Sequence, residues 1–208
     1  MGEAIVIRAA ETSDADEIYR ICLQTGDAGQ DASSLYLDPR LIGHIYAGSY
    51  VALDGPICFV AEDEQGLLGY AVGVADTREY EQRLEREWWP DLRRRYPCPV
   101  GDPSGWTADE KRIWSIHNPA VVPEEVVIRF PAHIHMNLLQ RAQGRGLGTR
   151  LFDSWLAAAR TRGANAVHAG VSATNTGGLA FWTARGFLPL MKEPQGGTAR
   201  TIWCGRLL

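Results

Sequence analysis

The chain has 208 residues, with 21 Lys and Arg against 25 Asp and Glu, for a net charge of −4. That length suits one large domain, or a domain with an insertion, around a full core, and the mild negative charge gives no reason to propose nucleic acid or an anionic membrane as the main partner. No apolar run is long enough for a transmembrane helix, and Met1-Gly2-Glu3-Ala4 lacks the features of a signal peptide, so a cytoplasmic protein is expected.

Ala4 to Arg8 alternates like a first strand. Thr12-Ser13-Asp14 reads as the cap region of a helix running to about Gln24, with Glu17 placed to help. Thr25 to Ser34, rich in Gly, Asp and Ser, reads as a mobile loop, and Leu41 to Ala47 as a short helix. Pro56 to Asp63 and Leu67 to Asp76 form a predicted hairpin around Glu64-Gln65-Gly66. The stretch from about 77 to 130 follows: a predicted amphipathic helix from Tyr80 to Tyr96, a breaker-rich loop from Pro97 to Gly105, and a short helix from Asp109 to Ile116. Strands are predicted at Pro131 to Leu139, Ala166 to Ser172, near Phe187 to Leu190 and at Thr201 to Leu207, with a helix from Thr149 to Arg162. Cys22, Cys58, Cys98 and Cys204 are scattered without metal-ligand spacing and read as reduced thiols.

The segment with the most chemistry in it is Arg141-Ala142-Gln143-Gly144-Arg145-Gly146-Leu147-Gly148, between a strand and a helix that opens at Thr149. Glycines let backbone N–H groups approach an anion, and a helix N-terminus adds unpaired donors and a positive dipole end. A Walker A loop would need Lys-Ser or Lys-Thr after its last glycine, where this chain has Leu147-Gly148. A dinucleotide fingerprint would open its domain and carry an acid on the next strand, where this chain has His168.

The pattern Arg-x-x-Gly-x-Gly after a strand resembles the acyl-CoA pyrophosphate loop of the GNAT superfamily of N-acetyltransferases. Downstream, Asn175, Ala180-Phe181-Trp182 and Arg185-Gly186-Phe187 are similar to a second segment of that family. Leu41-Ile42-Gly43, Phe59 to Gly66, Gly69-Tyr70-Ala71, the long 77–130 stretch and Pro131-Ala132-His133-Ile134-His135 resemble the histone-acetyltransferase-like domain of O-GlcNAcase over nearly the whole chain. The resemblance implies a stand-alone bacterial-type relative: a single 1–208 α/β domain with a mixed, mostly antiparallel sheet flanked by helices and an insertion between the third and fourth strands. It also implies acetyl-CoA as cosubstrate and an amine acceptor; no metal is expected, and a monomer or homodimer is.

Four requirements of acetyl transfer assign candidate residues. Gln143, Gly144, Arg145, Gly146, Leu147, Gly148 and Thr149 would cradle the pyrophosphate, with charge from Arg141 or Arg145. By the resemblance, the fourth strand splays from the next and offers backbone donors near Asn137, Leu138 and Leu139 to the pantetheine and thioester. Strand alternation puts His133, His135 and Asn137 on one face, toward solvent or the cleft. His135 is the candidate base because histidine titrates near neutrality; a structural histidine is the alternative. A metal site from His-x-His lacks an evident third ligand. Glu62 and Asp63, ending the second strand, are runner-up bases, with exposed turn carboxylates as the alternative. Asp76 is either a hold for a cationic acceptor, alongside His133, or a strand-ending cap.

Two positions depart from the family. Relatives of O-GlcNAcase often carry an acid where this chain has Asn137, and an amide orients but takes no proton. The usual tyrosine acid falls on Trp182, which becomes either a wall beside the CoA tail or core packing. Asn175 either bonds the pantetheine or caps the following helix. The 77–130 stretch is either a lid over the acceptor site or a surface decoration, and its tryptophans line a cleft or form a satellite core. The leading function is N-acetyl transfer to a primary amine of a small molecule or peptide in a ternary complex. The alternative is a module that binds acetyl-CoA without turnover.

Overall fold

In the computed structural model, which describes residues 5–192 and 201–208, the first strand is β1 (Val6–Ala9), followed by α1 (Ala15–Gln24), α2 (Leu41–Tyr46) and α3 (Gly48–Ala52). The hairpin β2 (Ile57–Asp63) and β3 (Gly66–Val74) leads into α4 (Thr77–Glu87), α5 (Trp89–Arg95), α6 (Ala108–His117) and α7 (Glu124–Arg129). The chain then runs through β4 (Ala132–Leu138), α8 (Leu147–Thr161), β5 (Ala166–Ser172), α9 (Thr176–Thr183), β6 (Leu188–Lys192) and β7 (Thr201–Leu207).

Among the differences from the sequence reading, three have a clear physical reason. The expected helix from Tyr80 to Tyr96 is two helices that break at Trp88, because Pro90 has no N–H to continue the first one and sits in the opening turn of the second. The short helix α7 is absent from the sequence reading; its apolar residues Val126, Val127 and Ile128 are consecutive and show no helical period. Helix α8 starts at Leu147, two residues before the predicted Thr149, because Gly146 serves as its N-cap in a left-handed conformation.

The seven strands form one sheet in the order β1-β2-β3-β4-β5-β7-β6. Every neighbouring pair is antiparallel except β4 and β5. One face packs on α8, with Trp155, Phe152 and Leu151 against Ile134, Val167 and Ala169. The other packs on α1 and α2, with Ile18, Ile21 and Ile42 against Val60, Tyr70 and Val72. A third, smaller core joins Leu41 to Trp89, Leu92, Tyr96 and Ile116. Trp88 and Trp89 belong to that satellite core, whereas Trp106 and Trp114 pack on each other with ring centroids 5.2 Å apart. Among the described residues no helix is long and apolar enough to cross a membrane.

Candidate active site

The parallel pair β4 and β5 is registered only at Ala132 with Val167 and at His133 with His168. From Ile134 to Leu138 the edge of β4 that faces β5 carries no ladder, although its opposite edge remains paired to β3 through Leu138. Leu139 N–H donates to Leu68 O at 2.9 Å on the β3 side. Strand alternation therefore turns the Leu138 amide, not those of Asn137 or Leu139, toward the side that β5 has left. The Gln143 side chain donates to Leu138 O at 3.2 Å, from the same open side.

This opening lies at the C-terminal ends of the two parallel strands, and the glycine loop begins there. Among the described residues, no protein acceptor meets the backbone N–H groups of residues 144–149; the first helical bond of α8 is Arg150 N–H to Gly146 O. Six donors thus lie at the positive end of a 15-residue helix. Gly144 and Gly146 have φ of +70° and +74°, and no atom would lie within 4 Å of a Cβ at either. Their conformation demands glycine, and the loop stands open. Gly148 is glycine for a different reason: a Cβ there would sit 2.7 Å from the Phe181 ring of α9.

The charges around the loop are ordered by partners distant in sequence. Arg141 Nη1 is 2.7 Å from Asp63 Oδ2, and that guanidinium holds the Asp63 carboxyl below its usual range. Arg145 is exposed. Arg185, at the end of α9, donates to Thr149 Oγ1 and to Phe181 O, and its guanidinium lies 3.5 Å from the Phe181 ring centroid. No carboxylate within ion-pair distance balances Arg185 among the described residues. Sequence reasoning missed Arg185 because nothing local marks a side chain that reaches back 36 residues to Thr149.

The chain segment after α1 crosses the opening. Thr25 Oγ1 donates to Ile21 O and so accepts from Asn137 Nδ2, which orients the Asn137 amide with Oδ1 left unpaired and buried. Gln140 donates to Gln30 at 3.0 Å, and a Cβ on Gly29 would lie 3.8 Å from the Asn175 amide. The turn between Asp27 and Gln30, with Ala28 at φ +50°, thus bridges the ends of β4 and β5.

Comparison with known proteins fits this geometry. Residues 125–187 match the Acetyltransferase (GNAT) family. The crystal structure of SsHAT superposes with a TM-score of 0.86 at 32% identity, over 98% of each chain. The chain belongs to the GNAT acetyltransferase family. It is 27% identical over 187 residues to protein O-GlcNAcase of Rattus norvegicus, covering 89% of this chain and 20% of that protein, so it spans about a fifth of the length of the curated relatives it matches. The structure of yncA from Salmonella typhimurium with its cofactor acetyl-CoA shares the fold, with a TM-score of 0.57 at 16% identity over 98% of this chain and 94% of that one.

Within this family fold, the predicted site residues separate into two groups. Leu138, the glycine loop, Arg141 and Asn137 surround one opening. The others are engaged elsewhere. Asp76 Oδ1 accepts from Glu79 N–H at 3.0 Å and caps α4. Asn175 Oδ1 accepts from Gly178 N–H at 2.8 Å and caps α9. Trp182 is 6% exposed and packs among Phe152, Phe181 and Phe187, so its indole is core rather than a cleft wall. Glu62 is held by Arg8 at 2.8 Å.

The histidines on the polar face of β4 are not in solvent. His133 is hydrogen-bonded at both ring nitrogens: Nε2 to Tyr50 Oη at 2.6 Å and Nδ1 to Thr77 Oγ1 at 2.9 Å. Thr77 donates its own proton to Pro131 O, so it accepts from His133 Nδ1–H, and Tyr50 donates to Nε2. His133 is thereby a fixed, neutral strut, and burial drives its pKa well below the ordinary value. His135 stacks on Tyr46 at 6.2 Å, and its Nε2 is buried without a partner. Burial pushes its pKa down to about 4, with the neighbouring Asn137 pulling weakly the other way. The expectation of a histidine titrating near neutrality is therefore corrected: β4 lies under α1, α2 and α3, and their packing removes the water that would stabilise an imidazolium.

Proposed function

We propose that the chain is an N-acetyltransferase that moves an acetyl group from acetyl-CoA directly to a primary amine of a small molecule or peptide. The observation that carries this reading is the set of six acceptor-free amides, residues 144–149, opening at the unpaired end of β4. A diphosphate suits that cradle in charge and geometry. Acetyl-CoA, when bound, supplies an acyl group activated as a thioester. The Leu138 N–H faces the open side of β4 and suits an oxyanion donor, an interaction worth about 3 kcal/mol when such a donor is removed from an acyl-transfer site.

Asn137 Oδ1 is a buried acceptor that suits an N–H group of an incoming amine, and His135 Nε2 lies buried on the same strand face. His135, neutral from about pH 5 upward, orients the amine and takes its proton only as a weak base. A thiolate with a pKa near 8.5 leaves without an acid, so a buried Trp182 does not block transfer. Direct attack in a ternary complex is favoured because no Cys or Ser lies in the loop from Leu139 to Thr149. The four free cysteines, with Cys98 exposed, favour a reducing, cytoplasmic compartment.

A second reading, a module that binds acetyl-CoA without turnover, is favoured by the low pKa of His135 and by the amide at position 137. Calorimetry with acetyl-CoA, paired with a CoA-thiol release assay over an amine panel, tests both. Binding with acceptor-dependent release supports the enzyme. Binding with no acceptor-dependent release across a broad panel supports the module. An absence of binding overturns both.

A further inference from the structure

Arg112, on α6, is a guanidinium with no carboxylate in ion-pair distance among the described residues. Its Nε donates to Tyr36 Oη at 2.8 Å and its Nη1 donates to Tyr46 Oη at 3.0 Å, and it lies 5.9 and 5.5 Å from the two ring centroids. Arginine has five N–H donors, and two are used here. The acids on its own helix are engaged elsewhere: Asp109 accepts from the N–H groups of Leu37 and Asp38, and Glu110 closes the helix cap with Thr107. Several arginines, by contrast, are neutralised: Arg8 by Asp14 and Glu62, Arg78 by Glu81 and Glu124, Arg141 by Asp63. Phenols orient the Arg112 plane but leave its charge in place. A half-buried cation held in a fixed plane with donors to spare is suited to a planar, bidentate anion.

The position of this cation relates it to the acceptor side. Tyr46, whose hydroxyl holds Arg112, stacks its ring on His135 with an interplanar angle of 26°. One tyrosine ring thus separates the guanidinium from a strand face that presents two buried polar atoms, the acceptor Asn137 Oδ1 and the ring nitrogen His135 Nε2. The Asn137 carbonyl oxygen at one end fits an amine; donors at the other fit an anion. We propose that the amine acceptor carries a carboxylate, several bonds from its amine, which Arg112 binds between Tyr36 and Tyr46. An ω-amino acid or a short peptide with a free C-terminus or acidic side chain has this form; a polyamine or a lysine-rich basic tail does not. This rests on the acetyl-transfer reading above and narrows its substrate class.

The test uses matched pairs: 5-aminopentanoate with pentylamine, and glycylglycine with its amide. With the parent protein, the carboxylate member of each pair is expected to have a kcat/KM at least tenfold higher. Arg112→Gln collapses that ratio toward one while acetyl-CoA affinity and melting temperature are retained. Tyr46→Phe, which keeps the ring and removes the hydroxyl, lowers the ratio as well. Equal rates within pairs, or a drop in Arg112→Gln that is the same for both members, overturns the proposal and marks Arg112 as a strut between α6 and α2. Calorimetric titration of 5-aminopentanoate and pentylamine without acetyl-CoA reads the anion contact alone. Indistinguishable binding by parent and Arg112→Gln overturns it even where no transfer occurs, whereas failure to bind acetyl-CoA overturns the transferase reading instead. Tighter binding of the matching aminophosphonate than of 5-aminopentanoate also overturns the carboxylate assignment.

Discussion

Arg141 Nη1 lies 2.7 Å from Asp63 Oδ2, joining the loop after β4 to the last residue of β2. The Asp63 side chain is fully buried while that of Arg141 is 37% exposed. The acid anchors the base of the arginine and leaves its outer edge beside the glycine loop. Arg141 therefore contributes a placed charge rather than a freely rotating one.

This pair yields the first prediction. Asp63→Asn and Arg141→Ala each weaken acetyl-CoA binding about two- to fivefold, the range expected of a part-exposed ion pair, and the double variant adds little more. Calorimetry on the four proteins measures the coupling. Unchanged affinity together with a lower melting temperature would assign the pair to stability alone.

The left-handed backbone at Gly146 predicts two separable effects. Gly146→Ala meets no neighbour within 4 Å, so its cost is the backbone strain alone, about 1–2 kcal/mol of stability. Gly146→Glu adds a carboxylate at the positive end of α8 and abolishes acetyl-CoA binding while far-UV circular dichroism stays the same. Equal acetyl-CoA affinity in the Glu variant and the parent removes the cradle assignment.

Acid stability follows from the buried histidines. His44, His135 and His168 have pKa values lowered from 6.5 to about 4 by burial, and His133 lies well below 6.5. Between these values the unfolded chain binds protons that the folded chain refuses. Stability is therefore full above about pH 6.5 and falls as pH drops toward 4, with a slope of up to about 1.4 kcal/mol per pH unit for each histidine. Urea titrations at pH 7.5, 6, 5 and 4.5 measure this slope. For the same reason His135→Gln lowers turnover without moving any limb of the pH–rate profile between 6 and 8. A limb near 6.5 that vanishes in the variant would show that His135 titrates as an exposed base.

Trp182 provides a contrast between core and cleft. Trp182→Ala is predicted to cost about 3–5 kcal/mol, the range for truncating a large buried aromatic. Differential scanning calorimetry reads that as a drop in melting temperature, and acetyl-CoA affinity below the new transition stays within a few-fold of the parent. A stable Ala variant that has lost the cofactor would place the indole against the ligand instead.

Period and punctuation made much of this protein legible in one dimension. The strand at Thr201 to Leu207 has the bounds that its alternation implied, and β5 runs from Ala166 to Ser172 as read. Residues 143–148 were legible as an open glycine turn at a helix start because glycine spacing and a following helix are local properties of the chain. Alternation along β4 correctly put Ile134 in the α8 core and His133, His135 and Asn137 opposite. Tertiary packing decided the rest. Whether His135 titrates near 6.5 or near 4 depends on which helices cover its strand, and whether Arg141 is free depends on an acid 78 positions away. Arg112 gained its meaning only when α6 came to rest beside Tyr36 and Tyr46. Backbone preference acts over a few residues and is written in the sequence; solvation and charge pairing act through space and are set by whichever distant elements the core brings together.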